Sequence, residues 1–522
     1  MTLAAAREAK TALAPTAVAP DDIRLGKDVL ELVSTAMYVD PLTVYREYIQ
    51  NAADAIDAAR AAGLLGPDDR GKVDILIDPP TRTIRIRDNG IGISEAEFAA
   101  RLTALGASVK RGTGARGFRG VGRLVGLGHA QELVFRSRTV GQDTVCELRW
   151  DCRRLKAALA DSSFGGDVGD LIAQIVSLNY IAPEAYPAHF FEVELLKVVR
   201  QRSDKLMNPG AVSDYLAQVA PVPFSPEFRF AEEILAALRE VTSLGEIDIR
   251  INDGDPLHRP HRNEILMAPG KTNPFEELSI IRIPGMDGDV AAVGWFLHHK
   301  YEGALPVATL VKGVRLRVGN LQIGDHSVLE EMFPEARFNA WSVGEIHILD
   351  PRVVPNGRRD QFEQNAHFNN LLNQLGPPAR DIARRCRTNS AKRSRLREFE
   401  LGVQDVRSRL DILRQGGLGR TQRNSHAIAI EALLDRLGKL PEQEQLLGDA
   451  TVAMRRTIAR LRAELPKVLD EAETGVGLLD RLPAKQRAMY EQMFALIYEC
   501  STNRNAAKAL VERIIQKLTT SN

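Results

Sequence analysis

One stretch constrains this chain more than any other: Glu47-Tyr48-Ile49-Gln50-Asn51-Ala52-Ala53-Asp54-Ala55. Its composition is helical, and in a helix Glu47, Asn51 and Asp54 fall at i, i+4 and i+7, on one face. Ile49, Ala52, Ala53 and Ile56 supply apolar packing around the rest of the cylinder. Two carboxylates and a carboxamide on one stripe are an odd choice for a core face. In isolation a solvated polar face would explain them. The segments that follow argue instead for a site.

The second segment alternates Ile84, Arg85, Ile86 and Arg87, a strand with one buried face, and ends in Asp88-Asn89-Gly90-Ile91-Gly92, a turn signal. Gly90 and Gly92 allow a backbone to approach a ligand closely, and Asp88 at the strand end can accept a hydrogen bond from an exocyclic amine. The third segment begins at Lys110-Arg111-Gly112-Thr113 and continues through Gly117-Phe118-Arg119-Gly120-Val121-Gly122-Arg123. Glycines at this density free backbone amides to surround phosphate oxygens, and the helix that follows would point its positive end at them. Lys110, Arg111, Arg116, Arg119 and Arg123 add cationic charge. No Gly-x-x-x-x-Gly-Lys-Ser/Thr run is present, so this is not a P-loop.

In this order the three segments resemble the GHKL ATPase superfamily, which includes HtpG-type chaperones, type II topoisomerases, MutL proteins and sensor histidine kinases. The match to Glu-x-x-x-Asn-x-x-Asp-Ala, Asp-x-Gly-x-Gly and Gly-x-x-Gly-x-Gly is complete. Arg46-Glu47 and Lys110-x-Gly112-Thr113 lean toward the HtpG branch, and no helix carrying a phosphoacceptor histidine is found to support a sensor kinase. The resemblance implies a Bergerat-type α/β sandwich binding ATP and Mg2+. It implies that Glu47 polarises the attacking water as general base and that Asn51 ligates Mg2+ together with phosphate oxygens, with Asp54 completing the binding stripe. Asp88 would hold the adenine amino group, with Gly90 and Gly92 close to the base. Lys110, Gly112, Thr113 and the loop Gly117, Gly120, Val121, Gly122 would close over the phosphates. Two departures stand out. Only three residues separate Thr113 from Gly117, a short lid, and Phe190-Phe191-Glu192-Val193 lacks the Gly-Thr that usually completes the adenine pocket.

At 522 residues and 44% hydrophobic content the chain is long enough for about three domains with real cores. Sixty-nine basic against 68 acidic residues leave a net charge of +1, so no global field announces nucleic acid or an anionic membrane. Cys146, Cys152, Cys386 and Cys500 lack metal-ligand spacing, which fits a reducing, cytoplasmic setting. No apolar run reaches the roughly 18 residues that span a bilayer, and the Ala-rich start lacks a signal peptide's core. The expected division is a mobile N-terminal arm over 1–25, the ATP-binding domain over 26–200, a middle domain over 201–375 and a helical C-terminal region over 376–522. A helix is expected from Asp28 to Val39. Strands are expected at Val73–Ile77, Thr83–Arg87, Glu132–Ser137, Thr144–Trp150 and Phe190–Leu196, and Asn208-Pro209-Gly210 opens a connecting segment.

Further strands are expected near Glu246–Ile251, Ser279–Ile283, Ala292–Leu297 and Gly313–Val318. The span 312–360 resembles the α/β middle domain of HtpG-type proteins. Its end, Val353-Val354-Pro355-Asn356-Gly357-Arg358-Arg359-Asp360, is similar to the loop that sends an arginine into the ATP site. On that alignment Arg359 reaches the γ-phosphate, and Arg358 is one residue away from the same role. A guanidinium can bind two equatorial oxygens at once, and one supplied from another domain ties hydrolysis to closure.

Beyond Phe362 helical patterning dominates. Arg380, Arg384, Arg385, Arg387, Lys392, Arg393, Arg395 and Arg397 form a basic run, read as a solvated face or as a contact surface for nucleic acid or an acidic partner. Met454, Ile458, Leu461 and Leu465 mark an amphipathic helix expected to end at Pro466, and Ala507, Leu510, Val511, Ile514 and Leu518 mark the last one. The expected function is a Mg2+-dependent ATP hydrolase working as a homodimeric, nucleotide-driven clamp in chaperone-like protein remodelling. The alternative is a nucleic-acid-associated clamp or sensor in a defence or repair system, like MORC or MutL relatives. The partner, client protein or nucleic acid, is left open, and no membrane is involved.

Overall fold

The computed structural model describes residues 27, 30, 40–66, 69–105, 122–161, 167–415, 417–474, 479 and 482–520. The expected arm over 1–25, most of the expected helix Asp28 to Val39, and the loop residues Lys110, Gly112, Thr113, Gly117, Gly120 and Val121 lie outside the described residues. The chain divides into two compact units: Met1–Lys300 with Ala304–Ala383, and Tyr301–Gly303 with Arg384–Asn522.

The first unit is built on alternation. In β1 (Gly71–Asp78) Val73, Ile75 and Ile77 are buried while Lys72 and Asp74 are exposed, and β2 (Thr83–Asp88) buries Ile84, Ile86 and Asp88. Period-two patterning of this kind gives each strand one core face. With β3 (Glu132–Arg138), β4 (Val145–Asp151), β5 (Val176–Ile181), β6 (Phe190–Leu196) and β7 (Ile247–Ile251) they form a seven-stranded sheet, order β5-β4-β3-β6-β2-β1-β7. Neighbours are antiparallel except β1 and β7. The apolar face joins α1 (Thr43–Ala61) and α2 (Glu95–Thr103) in one core with Tyr48, Ile49, Ala53, Ile56 and Phe98. The other face carries a charged lattice, where Arg136 meets Glu147, Glu192 and Glu194 at 2.8–2.9 Å and Arg87 meets Glu192 at 2.6 Å. The result is a two-layer α/β sandwich.

Strand β7 comes from beyond residue 200, within the segment expected to be middle domain. Ile247 and Ile249 continue the buried alternation, and the Asn252 side chain extends the ladder by pairing with both backbone groups of Ile77, at 2.7 and 3.0 Å. Asn208-Pro209-Gly210 differs from expectation too. It starts a helix, because Asn208 caps the Ala211 amide at 3.1 Å and Pro209 occupies the first turn, where no donor is lost.

Helices α3 (Cys152–Ala160), α4 (Val168–Ile175), α5 (Pro209–Val219) and α6 (Ala231–Arg239) follow in the first unit. Its second sheet has the order β10-β11-β14-β12-β13, from β10 (Glu277–Pro284), β11 (Val290–His298), β12 (Gly313–Val318), β13 (Leu321–Ile323) and β14 (Val343–Ile348); β8 (Glu264–Ala268) and β9 (Lys271–Pro274) make a separate hairpin. Ile234 and Leu238 of α6 pack with Val293, Trp295 and Leu297 of β11. Helix α7 (Ala366–Arg414) carries the chain into the second unit, which continues with α8 (Arg420–Gly438), α9 (Glu444–Leu447), α10 (Ala450–Thr474), α11 (Ala484–Cys500) and α12 (Arg504–Thr520). The C-terminal region is helical as expected, but Pro466 does not end its helix. α10 runs through it, because Pro466 sits on the solvent side and Leu465 and Val468 keep the buried stripe continuous past it. Among the described residues no helix is long and apolar enough to cross a membrane.

Candidate functional site

Helix α1 displays its polar stripe with graded depth. Glu47 is buried, 4% exposed, whereas Asn51 and Asp54 are half-buried. Tyr45, Tyr48, Ile49, Ala52, Ala53 and Ile56 lock the helix into the core, which fixes the direction in which Glu47 points. One oxygen of Glu47 lies 3.5 Å from Arg46 Nη2 and 3.9 Å from Arg359 Nε. The other faces Gly122. A Cβ at residue 122 would stand 2.4 Å from Glu47 Oε2, so only glycine lets the end of the third segment pass this carboxylate. Tyr48 fastens the same junction by donating to the Arg123 carbonyl at 3.2 Å and accepting from the Gly126 amide at 3.0 Å. Arg123 is itself mostly buried; desolvation, with the like charge of Arg101, pushes its pKa down to about 10.

Arg359 reaches Glu47 from a hairpin turn. Pro355 bridges to Phe362, Asn356 Nδ2 donates to Asp360 at 2.7 Å, and Arg359 adopts a left-handed φ of +56° that a non-glycine residue rarely takes. The turn is held from two sides. The Gly324 amide donates to the Arg359 carbonyl at 2.9 Å, and Arg46 donates to the carbonyls of Arg358 and Arg359 at 3.0 and 3.5 Å. The Arg359 side chain is 12% exposed, while Arg358 is exposed. Sequence reasoning used Arg46 only as a family signature. Its role in anchoring this turn has no local signal, since the turn lies in a distant part of the chain.

Asp88 closes β2, 5% exposed, and one of its oxygens accepts the Gly90 amide at 2.9 Å. Its register partner on β6 is Phe191, so an aromatic ring occupies the cross-strand position beside this carboxylate. Gly90 and Gly92 are required by the protein itself. A Cβ at 90 would be 2.6 Å from that of Ala55, and one at 92, where φ is +77°, would be 2.2 Å from the Arg138 carbonyl. The Asp88 turn is thus pressed onto α1, and Ile91 donates to the Ala55 carbonyl at 3.1 Å. The structure brings Glu47, Gly122 and Arg359 together, and it places Asp88, Gly90 and Gly92 against the later turns of the same helix.

This sandwich, with a carboxylate–carboxamide helix facing an Asp-x-Gly-x-Gly turn, belongs to a known class. Residues 40–161 match the family described as "Histidine kinase-, DNA gyrase B-, and HSP90-like ATPase", and over them the chain carries a GHKL-type domain. More particularly, this chain is similar to proteins named "Chaperone protein HtpG". It is 32% identical to that of Polaromonas naphthalenivorans (strain CJ2) over 139 residues, 23% of this chain and 22% of the relative. It is 39% identical to that of Acinetobacter baylyi (strain ATCC 33305 / BD413 / ADP1) over 90 residues, 16% of this chain and 14% of the relative. With that of Geobacter metallireducens (strain ATCC 53774 / DSM 7210 / GS-15) it shares 23% identity over 201 residues, 35% and 30% of the two chains. The chain thus spans between 14% and 30% of the length of these relatives.

Proposed function

We propose that the chain is a Mg2+-dependent ATP hydrolase that works as a homodimeric, nucleotide-driven clamp in chaperone-like protein remodelling. The observation that carries the reading is Glu47: a buried carboxylate with only long contacts to arginines, one of them delivered by a turn from the far end of the same unit. The donor set suits the ligand. A carboxylate has about four lone-pair sites, more than the Gly90 amide takes from Asp88, which leaves acceptor capacity for a purine amine. One carboxamide oxygen, from Asn51, is enough for a cation that keeps waters and phosphate oxygens as its other ligands.

Glu47 orients and deprotonates the attacking water, and its burial keeps bulk solvent from competing for it. Asn51 and Asp54 position the cation and its hydration, and Asp88 selects adenine, with Gly90 and Gly92 setting its approach. Lys110, Gly112, Thr113, Gly117, Gly120, Val121 and Gly122 cover the phosphates. Arg359 meets the charge that develops on the transferred group, and Arg46 holds its turn in place. When bound, ATP supplies the scissile phosphoanhydride and Mg2+ offsets the charge of its phosphate oxygens. Residues 26–200 hold the nucleotide, 201–375 supply the arginine, and the helical region 376–522 carries client or dimer contacts. Similarity to chaperones named HtpG supports the remodelling role. The test is steady-state phosphate release with ATP affinity measured alongside. Arg359→Ala should slow turnover at nearly unchanged affinity and Arg358→Ala should not; the reverse pattern would move the role by one residue, and loss from neither would remove it. A mass that fails to double with a non-hydrolysable analogue would discard the dimeric clamp.

A further inference from the structure

The two units differ sharply in charge. Residues 384–522 hold 26 Lys and Arg against 17 Asp and Glu, a net charge of +9, whereas residues 1–383 hold 43 against 51, a net charge of −8. Much of the basic side chain in the second unit is paired: Arg395 and Arg436 with Glu398, Arg414 with Glu464, Arg462 with Asp435, Arg409 with Asp405, Lys508 with Asp411. Three cations of α10 are not. Arg456, Arg460 and Lys467 are exposed and make no hydrogen bond or ion pair among the described residues.

These three occupy one stripe. Met454, Ile458, Leu461, Leu465 and Val468 turn to the core, which leaves Arg456, Arg460, Ala463 and Lys467, at i, i+4, i+7 and i+11, on the opposite face, ending at exposed Asp470. At about 1.5 Å per residue the cations span roughly 16 Å, while phosphates of one strand recur every 3.4 Å along a duplex axis. Exposed Ala459 and Ala463 leave the surface between them low enough for a backbone to lie close. No aromatic or large apolar side chain stands on the stripe, so it offers neither a platform for unstacked bases nor an anchor of the kind that centres a protein interface.

We infer that the outward face of α10 binds the phosphate backbone of duplex nucleic acid, without sequence preference. The contact is independent of nucleotide turnover, because α10 belongs to the second unit and the binding is read without ATP. The experiment titrates the full-length protein into a fluorescein-labelled DNA duplex of arbitrary sequence by anisotropy, over a series of NaCl concentrations. Log K should fall linearly with log salt. The triple variant Arg456→Ala/Arg460→Ala/Lys467→Ala should lose about 2.7 from the magnitude of that slope, at roughly 0.9 per phosphate contact. The variant Arg456→Lys/Arg460→Lys should keep the slope, which separates charge from a disturbed fold. An unchanged slope in the triple variant would overturn the assignment, as would absence of wild-type binding at low salt. Competition by poly-glutamate as effective as that by unlabelled duplex would give the surface to an acidic polypeptide and overturn it as well.

Discussion

Glu47 and Glu345 are the same group in nearly the same depth of burial, 4% and 0% exposed, and each faces two arginines. Their coordination differs. Glu345 receives Arg259 at 2.5 Å, Arg317 at 2.7 Å and His347 Nε2 at 3.2 Å, so both oxygens are engaged. Its arginines are satisfied in turn: Arg317 donates to the carbonyls of Gln218 and Asn320 at 2.6 and 2.9 Å, and Arg259 to that of Val222 at 3.1 Å. Although burial opposes its charge, the two guanidinium groups and the His347 hydrogen bond hold the Glu345 carboxyl well below the usual carboxylate range. Glu47 has contacts of 3.5 and 3.9 Å. A saturated carboxylate fastens the Gln218–Val222 segment to the second sheet, and a loosely held one keeps lone pairs for a substrate. Contact length, more than burial, separates the structural acid from the candidate catalytic one.

The sharpest way to break this comparison is to delete each acid and measure stability. Glu345→Ala strands two buried guanidinium groups and should cost about 3–5 kcal/mol, read as a large drop in the denaturation midpoint. Glu47→Ala should leave the midpoint close to wild type, because its arginines keep the carbonyls of Arg358 and Gly324's partner turn as anchors. Equal losses from the two variants would erase the distinction.

The functional half of the comparison follows. Glu47→Ala should lower ATP turnover by about a hundredfold or more, the lower end for loss of a general base, equivalent to about 2.7 kcal/mol, with ATP affinity retained. Unchanged turnover would make the site a binding site without chemistry. Asp88→Asn tests the other end of α1. The amide has one acceptor oxygen in place of two and brings two donors, so ATP affinity should fall about 10- to 100-fold while the fold survives. Equal affinity would remove Asp88 from adenine recognition.

What was legible follows the range of each interaction. Alternation is local, so the expected strands Val73–Ile77, Thr83–Arg87, Glu132–Ser137, Thr144–Trp150 and Phe190–Leu196 lie within a residue or two of β1, β2, β3, β4 and β6. The pairing of β7 with β1 joins positions far apart in the chain and left no trace in either segment. The Glu345 cluster is hidden for the same reason: Arg259, Arg317, Asn320 and Glu345 share no spacing that chemistry would demand. Pro466 misled because a proline stops a helix only where its lost hydrogen bond cannot be replaced, and on a solvent face water replaces it. Gly90 and Gly92 were correctly singled out for close approach, yet the neighbours a side chain would strike are Ala55 and Arg138.

The smallest expected effect concerns the histidine on the saturated acid. Burial holds His347 down to about 4 and His261, beside the same cluster, down to about 3, against an ordinary 6.5. Between pH 6.5 and 4 the unfolded chain therefore binds protons that the folded chain refuses. Stability is full above pH 6.5 and falls as the solution is acidified through this window; only below about 4.5 does loss of the Glu345 charge add to it. Each histidine should remove about 1–2 kcal/mol between pH 7 and pH 5. His347→Gln cannot titrate there, so the variant should show roughly half the wild-type loss, with His261 responsible for the remainder. Urea midpoints at the two pH values measure both. If the variant loses as much as wild type on acidification, the cluster is not what senses protons, and the contrast between Glu345 and Glu47 rests on contact length alone.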